Sequence, residues 1–441
     1  WIGLGVMGLS KLLDKILPKN VSAAIAAIAC LGIPVLMAAQ NWDDHDRSGR
    51  TTARDFGQNY LNSTEKNAIL FSNGDNDTFP LWYNQEVEGV RTDVRVCNLS
   101  YLPTDWYIDQ MKRQAYESAP LPISWQKKDY ISGRNDLMSV QNLTDGKPFN
   151  MKDAFEIIKS DEAEFKIDGD GFFPSPKLSL PVDAAEVVKT GSVPAKDISK
   201  IVPEMIFDLP KSVFKGEAMV MEMIKENNWK RPMYVCVTVG EEFYPQSLSK
   251  YLSRTGLVYQ ILPVGQQDST RVNVNTDKMY DNMMNKFRFG GVDNPKIYLD
   301  DQVLRMSKTH RIQFMYLAEA LIEEGETVRA KKVLEYANKV IPAATVPHDY
   351  SSNMMALYYY QLGMKSEADA ILDSVAGNSV EYLNWYASLK PSQQSNATSS
   401  IGHEMAVMNQ VLQISSQAGS KTILDKYMKQ FEMFANKFNM R

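Results

Sequence analysis

The strongest constraint on this chain is a run of nineteen residues without a charge, VSAAIAAIACLGIPVLMAA, from Val21 to Ala39. Roughly twenty apolar residues in a helix cross the hydrocarbon core of a bilayer. Pro34 lies inside the run, which membrane helices tolerate better than soluble ones. Trp42 follows where an interfacial aromatic is expected. A secretory signal has a shorter apolar core at the start of the chain, so the run reads as a membrane span; the competing reading is a buried core helix. Lys11, Lys15 and Lys19 precede it, and Asp43, Asp44 and Asp46 follow it. The positive-inside rule puts the lysines in the cytoplasm and everything after Asn41 outside. Trp1 to Leu9 is apolar and glycine-rich, like the end of an earlier span, and the first residue is Trp1. The expectation is a piece of a longer protein whose C-terminal transmembrane helix is 21–40, after a cytoplasmic loop and the end of a preceding span at 1–20.

The composition of the whole chain is that of an ordinary globular protein, with a net charge of −5 that offers no nucleic-acid footprint. Cys30, Cys97 and Cys236 are scattered, and the four histidines have no motif context. No metal or disulfide framework is legible, and no cofactor is expected. The apolar run Ala68–Phe71 signals a buried strand. The polar stretch Ser72–Thr78 reads as a loop, with Asp77 or Thr78 capping a following helix that has Pro80 in its first turn. A second strand is expected over Val94–Leu99 and a helix starting at Thr104 or Asp105 and running through Met111. This strand–helix order predicts a parallel, Rossmann-like α/β domain over 41–300. Residues 116–205 are rich in Pro, Gly and Ser and read as an insertion, with a hairpin turn at Asp168-Gly169-Asp170-Gly171. The α/β pattern then returns: a helix over Glu217–Asn227, a strand over Met233–Val239, a helix over Leu248–Arg254 and a strand over Leu257–Leu262. About four strands are counted.

From Asp301 the chain reads as helical to 441. Phe314, Leu317, Ala318, Leu321, Gly325, Ala330, Leu334, Ala337 and Pro342 fall at the small, large and breaker positions of a tetratricopeptide repeat. A weaker copy follows with Met355, Ala356, Tyr359, Gly363, Ala368 and Leu372. Pro391–Ser400 reads as a loop. Ile423, Tyr427, Phe431, Phe434 and Phe438 make one apolar stripe on a last helix. The expected fold is therefore membrane-anchored α/β plus all-α, with tetratricopeptide-like repeats as a surface for protein partners.

Several strings, NWDDHDRSGR at 41–50, FSNGDNDTFPLWYNQEVEGVRTDVRVCNLS at 71–100, TDWYIDQMKR at 104–113 and NNWKRPMYV at 227–235, resemble the C-terminal half of a Bacteroidetes family of multi-spanning membrane proteins of unknown function. That family is similar to protein O-mannosyltransferases and other GT-C-type glycosyltransferases, which use lipid-linked sugars. The resemblance implies a bacterial inner-membrane protein with most of this chain in the periplasm. It also implies that the catalytic carboxylate lies on an early outer loop, so no catalytic residue maps onto this chain.

Two polar clusters are candidates for ligand contact. Asp43, Asp44, His45 and Asp46 sit just outside the span, where three carboxylates around an imidazole favour its protonated form or hold a divalent cation. The plainer reading is a solvated exit. Asn73, Asp75, Asn76 and Asp77 follow a buried strand, where open α/β sheets bind ligands. Their oxygens suit sugar hydroxyls or a hard cation, yet the same residue types cap helices and form turns. Trp82, further along the same helix, is placed either to stack on a sugar ring or to pack in the core. The expected function is the periplasmic module of a GT-C-type glycosyltransferase that binds a lipid-linked sugar or a protein acceptor. The alternative is a non-catalytic, membrane-anchored periplasmic scaffold working through its helical repeats.

Overall fold

The computed structural model describes residues 1–266 and 271–440; the side chains of Asp43 and Asp44 lie outside the described part. The apolar run forms one continuous helix, Lys19–His45, with Pro34 inside it. Ile2–Leu13 packs beside it. Only 11% of its most apolar window is buried, and Ile28, Leu31, Val35 and Leu36 are uncovered. That removes the core-helix reading: a soluble protein does not leave such a stripe in water. The helix stands near the N-terminus of this chain rather than at its C-terminal end. Its length and composition suit a membrane anchor and equally a signal sequence.

The rest is mixed α/β followed by a helical half. The six strands of the main sheet are β1 (Ile69–Ser72), β2 (Arg95–Asn98), β3 (Met233–Cys236), β4 (Leu252–Arg254), β5 (Val258–Ile261) and β6 (Asn273–Val274). Their order is β6-β4-β5-β3-β1-β2. β2, β1 and β3 are parallel, while β5 is antiparallel to both β3 and β4. β6 pairs with β4 in parallel, so β5 alone runs against the other five strands, and it departs from the expected parallel layer. The helix expected over Leu248–Arg254 is a short 3-10 turn, Gln246–Tyr251, that runs into β4. The reason is burial. Tyr251, Leu252, Ser253 and Arg254 are buried in succession, which a strand inside a sheet permits and a surface helix does not. Gly256 closes the β4–β5 hairpin at φ +144, and a Cβ there would stand 2.5 Å from Ser63 Oγ.

β1 lies between β2 and β3, and the chain leaves it on one side and returns on the other. Its connecting helices keep different company. Gly74–Glu86 packs on Thr52–Asn62, and Lys215–Asn227 packs on Met151–Lys159. This makes the carboxyl ends of β1 and β3 a topological switch point, where open α/β sheets leave a crevice. The segment read as an insertion carries a small three-stranded sheet, in which Lys177–Pro181 pairs with Phe149–Asn150 in parallel and with Glu204–Asp208 in antiparallel fashion. Its Ile167–Asp170 pairing makes Asp168–Gly171 a hairpin turn, with Asp170 accepting a bond from the Asn135 amide at 2.7 Å.

The helical half consists of packed pairs: Asp301–Glu323 on Thr327–Val340, Ser352–Gln361 on Lys365–Ser388, and Thr398–Ala418 on Lys421–Lys437. Phe314, Ala318, Ala330, Leu334, Ala356 and Ala368 are all fully buried where the helices meet. The loop expected at Pro391–Ser400 folds instead into a short helix, Pro391–Asn396, and the start of the next. Pro391 takes the first helical turn, and the Lys390 amide donates to Gln393 Oε1 at 3.1 Å.

The two halves are tied together close to the exit of the apolar helix. Asp300 caps Asp301–Glu323 by accepting from the amides of Gln302 and Val303, and its carboxylate also pairs with Arg50 at 2.9 Å and Arg47 at 3.3 Å. Those backbone donors hold its carboxyl below the usual range. Asn59 bridges the same junction, bonding the Arg288 backbone and His310 Nε2. Burial pushes the His310 imidazole down to about 4, so it stays neutral and structural.

Candidate functional site

The stretch after β1 is helical almost from its first residue. The helix starts at Gly74, with Asn73 at its N-cap, rather than after a loop through Thr78. Asp77 and Thr78 therefore do not cap it. Asn73 spends its side-chain oxygen on Ser100 Oγ at 2.6 Å. Asp75 and Asp77 fall in the first turn, where their charge suits the helix dipole. Thr78 turns inward and joins Ser72 Oγ and Asn98 Nδ2 at 2.9 Å each.

Asp77 also turns inward. It accepts hydrogen bonds from Tyr60 Oη at 3.2 Å and from the Thr238 hydroxyl, and those two hydroxyls lie 2.7 Å apart. Thr238 follows β3 and Asp77 follows β1, so this network bridges the crevice between the two strand ends. Burial raises the Asp77 carboxyl, with the hydrogen bonds from Thr238 and Tyr60 working against it. Burial and the neighbouring Asp77 drive the Tyr60 phenol well above its ordinary value. Burial keeps the Cys236 thiol in the same cluster neutral. A buried carboxylate of perturbed affinity lining a cleft is the usual mark of a functional site.

The cleft is a pocket of about 320 Å³. One wall is Asn73, Gly74, Asp75, Asn76 and Asp77, with Phe56 and Thr238 beside it. The opposite wall is a single face of the Asp301–Glu323 helix, bearing Gln302, Arg305, Met306 and Thr309 at spacings of three, four and seven. Asp75 and Asn76 are exposed to the pocket, as is Arg305, which has no ion pair among the described residues. A carboxylate wall thus faces a guanidinium wall, an arrangement that offers acceptors to hydroxyls and a donor fork to an anion.

Trp82 is half-buried. It stacks on Tyr101 at 6.4 Å between centroids and lies 5.8 Å from Phe79, and Tyr101 lies 5.8 Å from Trp106. Phe79 is 50% exposed and Trp106 54%. Asp75, Phe79 and Trp82 stand at i, i+4 and i+7 on one helix face, so an aromatic strip climbs away from the pocket mouth. Sequence reasoning found the first wall and Trp82. It missed Tyr60, Thr238 and Arg305, which come from distant segments with no local motif.

Of the cluster at the span exit, the described side chains are those of His45 and Asp46. Asp46 accepts from the Ser48 amide at 2.8 Å and hydroxyl at 2.6 Å, bonds that lower its carboxyl. His45 Nδ1 lies 2.9 Å from the carbonyl of Asn41 in its own helix. The side chains of Asp43 and Asp44 lie outside the described residues. Among the described residues no group of three or more His, Cys, Asp or Glu converges as a metal site would require.

The model of the family described as TMEM260-associated domain 2 matches residues 53–278, just over half of the chain. The match takes in the first wall, Phe56, Tyr60 and Thr238, and ends before the helix that bears Arg305. No curated protein and no solved structure matches the chain.

Proposed function

The chain belongs to the family defined by TMEM260-associated domain 2, and from that membership and the pocket we propose that it is the extracytoplasmic module of a GT-C-type glycosyltransferase, holding the sugar-phosphate headgroup of a lipid-linked donor. The observation that carries this reading is the makeup of the pocket, acidic and amide oxygens on one wall and Arg305 on the other. The carboxylates and amides of Asp75, Asn76 and Asp77 accept from vicinal sugar hydroxyls. Arg305 and the first-turn amides of the Gly74–Glu86 helix face the phosphate. The wall that bears Arg305 begins two residues after Asp300, which pairs with Arg47 and Arg50 at the exit of the apolar helix. Trp82 and Phe79 offer rings for a second sugar or for the acceptor. On this reading the transfer chemistry belongs to residues outside this chain.

The test is sugar transfer in cells whose only copy of the full protein carries Arg305→Ala. Transfer of radiolabelled sugar from lipid-linked donor to protein should fall about tenfold, the worth of one charge-assisted contact. Undiminished transfer at normal protein level removes the pocket from the reaction.

A second reading, a membrane-anchored scaffold without catalysis, is favoured by the paired helices of the C-terminal half, whose small buried residues follow tetratricopeptide-like spacing, and by Tyr382 and Trp385, exposed at 55% and 57%. Replacing both aromatics by serine separates the two: a scaffold loses its partners in pull-down while a pocket-based activity persists.

A further inference from the structure

A second, larger cleft of about 1240 Å³ opens between β4, β5 and β6 and the later turns of the Asp301–Glu323 helix. Its floor holds Arg254, the last residue of β4, which is only 5% exposed. Tyr259 and Tyr316 lie over its guanidinium carbon, their ring centroids 4.8 and 3.9 Å away. Nη1 donates to Gln313 Oε1 at 2.6 Å. Nε is buried without a hydrogen-bond partner among the described residues. No carboxylate among the described residues pairs with this cation.

The acids that line the cleft already have partners. Glu319 and Glu323 hold Arg271 at 3.3 and 2.6 Å, Asp277 holds Arg329 at 3.0 Å, and Asp197 holds Lys200 at 2.8 Å. Glu324 accepts from the Thr276 hydroxyl at 3.1 Å. Arg254 is thus a buried cation whose counter-ion the described residues do not supply. An uncompensated buried charge is costly, and the two rings offset only part of that cost. Both rings lie over the guanidinium, which leaves a partner the edge in its plane that Gln313 does not occupy. That is how carboxylates and phosphates bind arginine. Tyr358, Met315 and Met354 give the rest of the cleft an apolar wall.

We infer that this cleft is a binding site for an organic oxyanion, a carboxylate or phosphate ester with an apolar or aromatic body, whose charged group pairs with Arg254. This site is separate from the sugar-phosphate pocket and does not depend on that reading.

The test uses the full chain in detergent, titrated calorimetrically with benzoate, with phenyl phosphate and with neutral benzyl alcohol. Benzoate or phenyl phosphate should bind at least about tenfold more tightly than the alcohol, and Arg254→Gln should remove that preference. Whichever of the two binds better identifies carboxylate or phosphate as the natural group. Should Arg254→Gln fail to fold, Tyr316→Ala is read instead. It keeps the charge, alters a residue that is 40% exposed, and should weaken oxyanion binding severalfold. Equal binding of anion and alcohol by the unmodified chain, or a preference that survives in the folded variant, overturns the inference.

Discussion

Replacing Tyr60 by Phe removes one oxygen from the buried network that bridges the two strand ends. The ring stays, fully buried and edge-on to Phe56 at 4.9 Å, so packing is conserved. What goes is a donor to the Asp77 carboxylate at 3.2 Å and a partner of Thr238 at 2.7 Å. A hydrogen bond to a charged group contributes about 1.5–3 kcal/mol, and one between neutral groups about 0.5–1.5 kcal/mol. The pH dependence carries the sharper content. Burial raises the folded-state Asp77 carboxyl above its unfolded value, so ionising it costs the folded protein, and that cost grows as pH rises through the folded value. Tyr60 lowers the cost by donating to the ionised form. Its loss therefore raises the folded value further and is felt mostly at neutral pH. Urea unfolding should show Tyr60→Phe less stable by about 1.5–3 kcal/mol near pH 7, and by less in acid, as falling pH protonates the Asp77 carboxyl. A loss of the same size at neutral pH and in acid would refute the claim that an ionised Asp77 faces Tyr60.

Other expectations follow from packing and topology. Ala330 is fully buried where Thr327–Val340 meets its partner helix, so Ala330→Leu should overpack the pair and cost about 1–3 kcal/mol in a thermal melt. Gly290 has φ +54, and a Cβ there would lie 2.4 Å from Thr52 N and 2.5 Å from its Cα. Gly290→Ala must therefore push the start of the Thr52–Asn62 helix and should destabilise by more than about 1 kcal/mol in urea unfolding. In intact cells, an impermeant thiol reagent should label Ser48→Cys and spare Lys15→Cys, as the lysine and aspartate flanks of the apolar helix require; the reverse pattern would invert the orientation.

Much of this fold is legible in the sequence because its signals are local. Ala68–Phe71 and Val94–Leu99 are short apolar runs between turns, and both centre on observed strands. Met233–Cys236 and Val258–Ile261 were equally readable. Leu248–Arg254 misled because its apolar spacing fits a helix turn, and only the company of β5 and β6 makes its end a strand. The reversed direction of β5 was invisible for the same reason, since partner strands and their direction are set by tertiary contacts. The site divides likewise. Asn73–Asp77 announces itself by density of polar oxygens, but helix start and helix cap were misplaced because Asp77 spends its carboxylate on Tyr60 and Thr238 instead of backbone amides. Thr238 and Arg305 lie far along the chain with no motif around them, and only the fold brings them to the loop. Arg254 gave no sequence signal, because what distinguishes it is the absence of a counter-ion in space.

The central claim is that the pocket at the switch point holds a sugar-phosphate headgroup, and Asp75→Asn tests it most directly. Asp75 is exposed and makes no structural hydrogen bond among the described residues, so the change removes charge without disturbing the fold. The measurement is the affinity of the purified chain for a short-chain, water-soluble polyprenyl-phosphate hexose, with a thermal melt of the same sample. The account predicts an unchanged melting temperature and an affinity lower by about tenfold, the loss of a charge-assisted pair of bonds to sugar hydroxyls. An unmodified chain that does not bind the probe, or a folded Asp75→Asn chain that binds it as tightly, would contradict the claim.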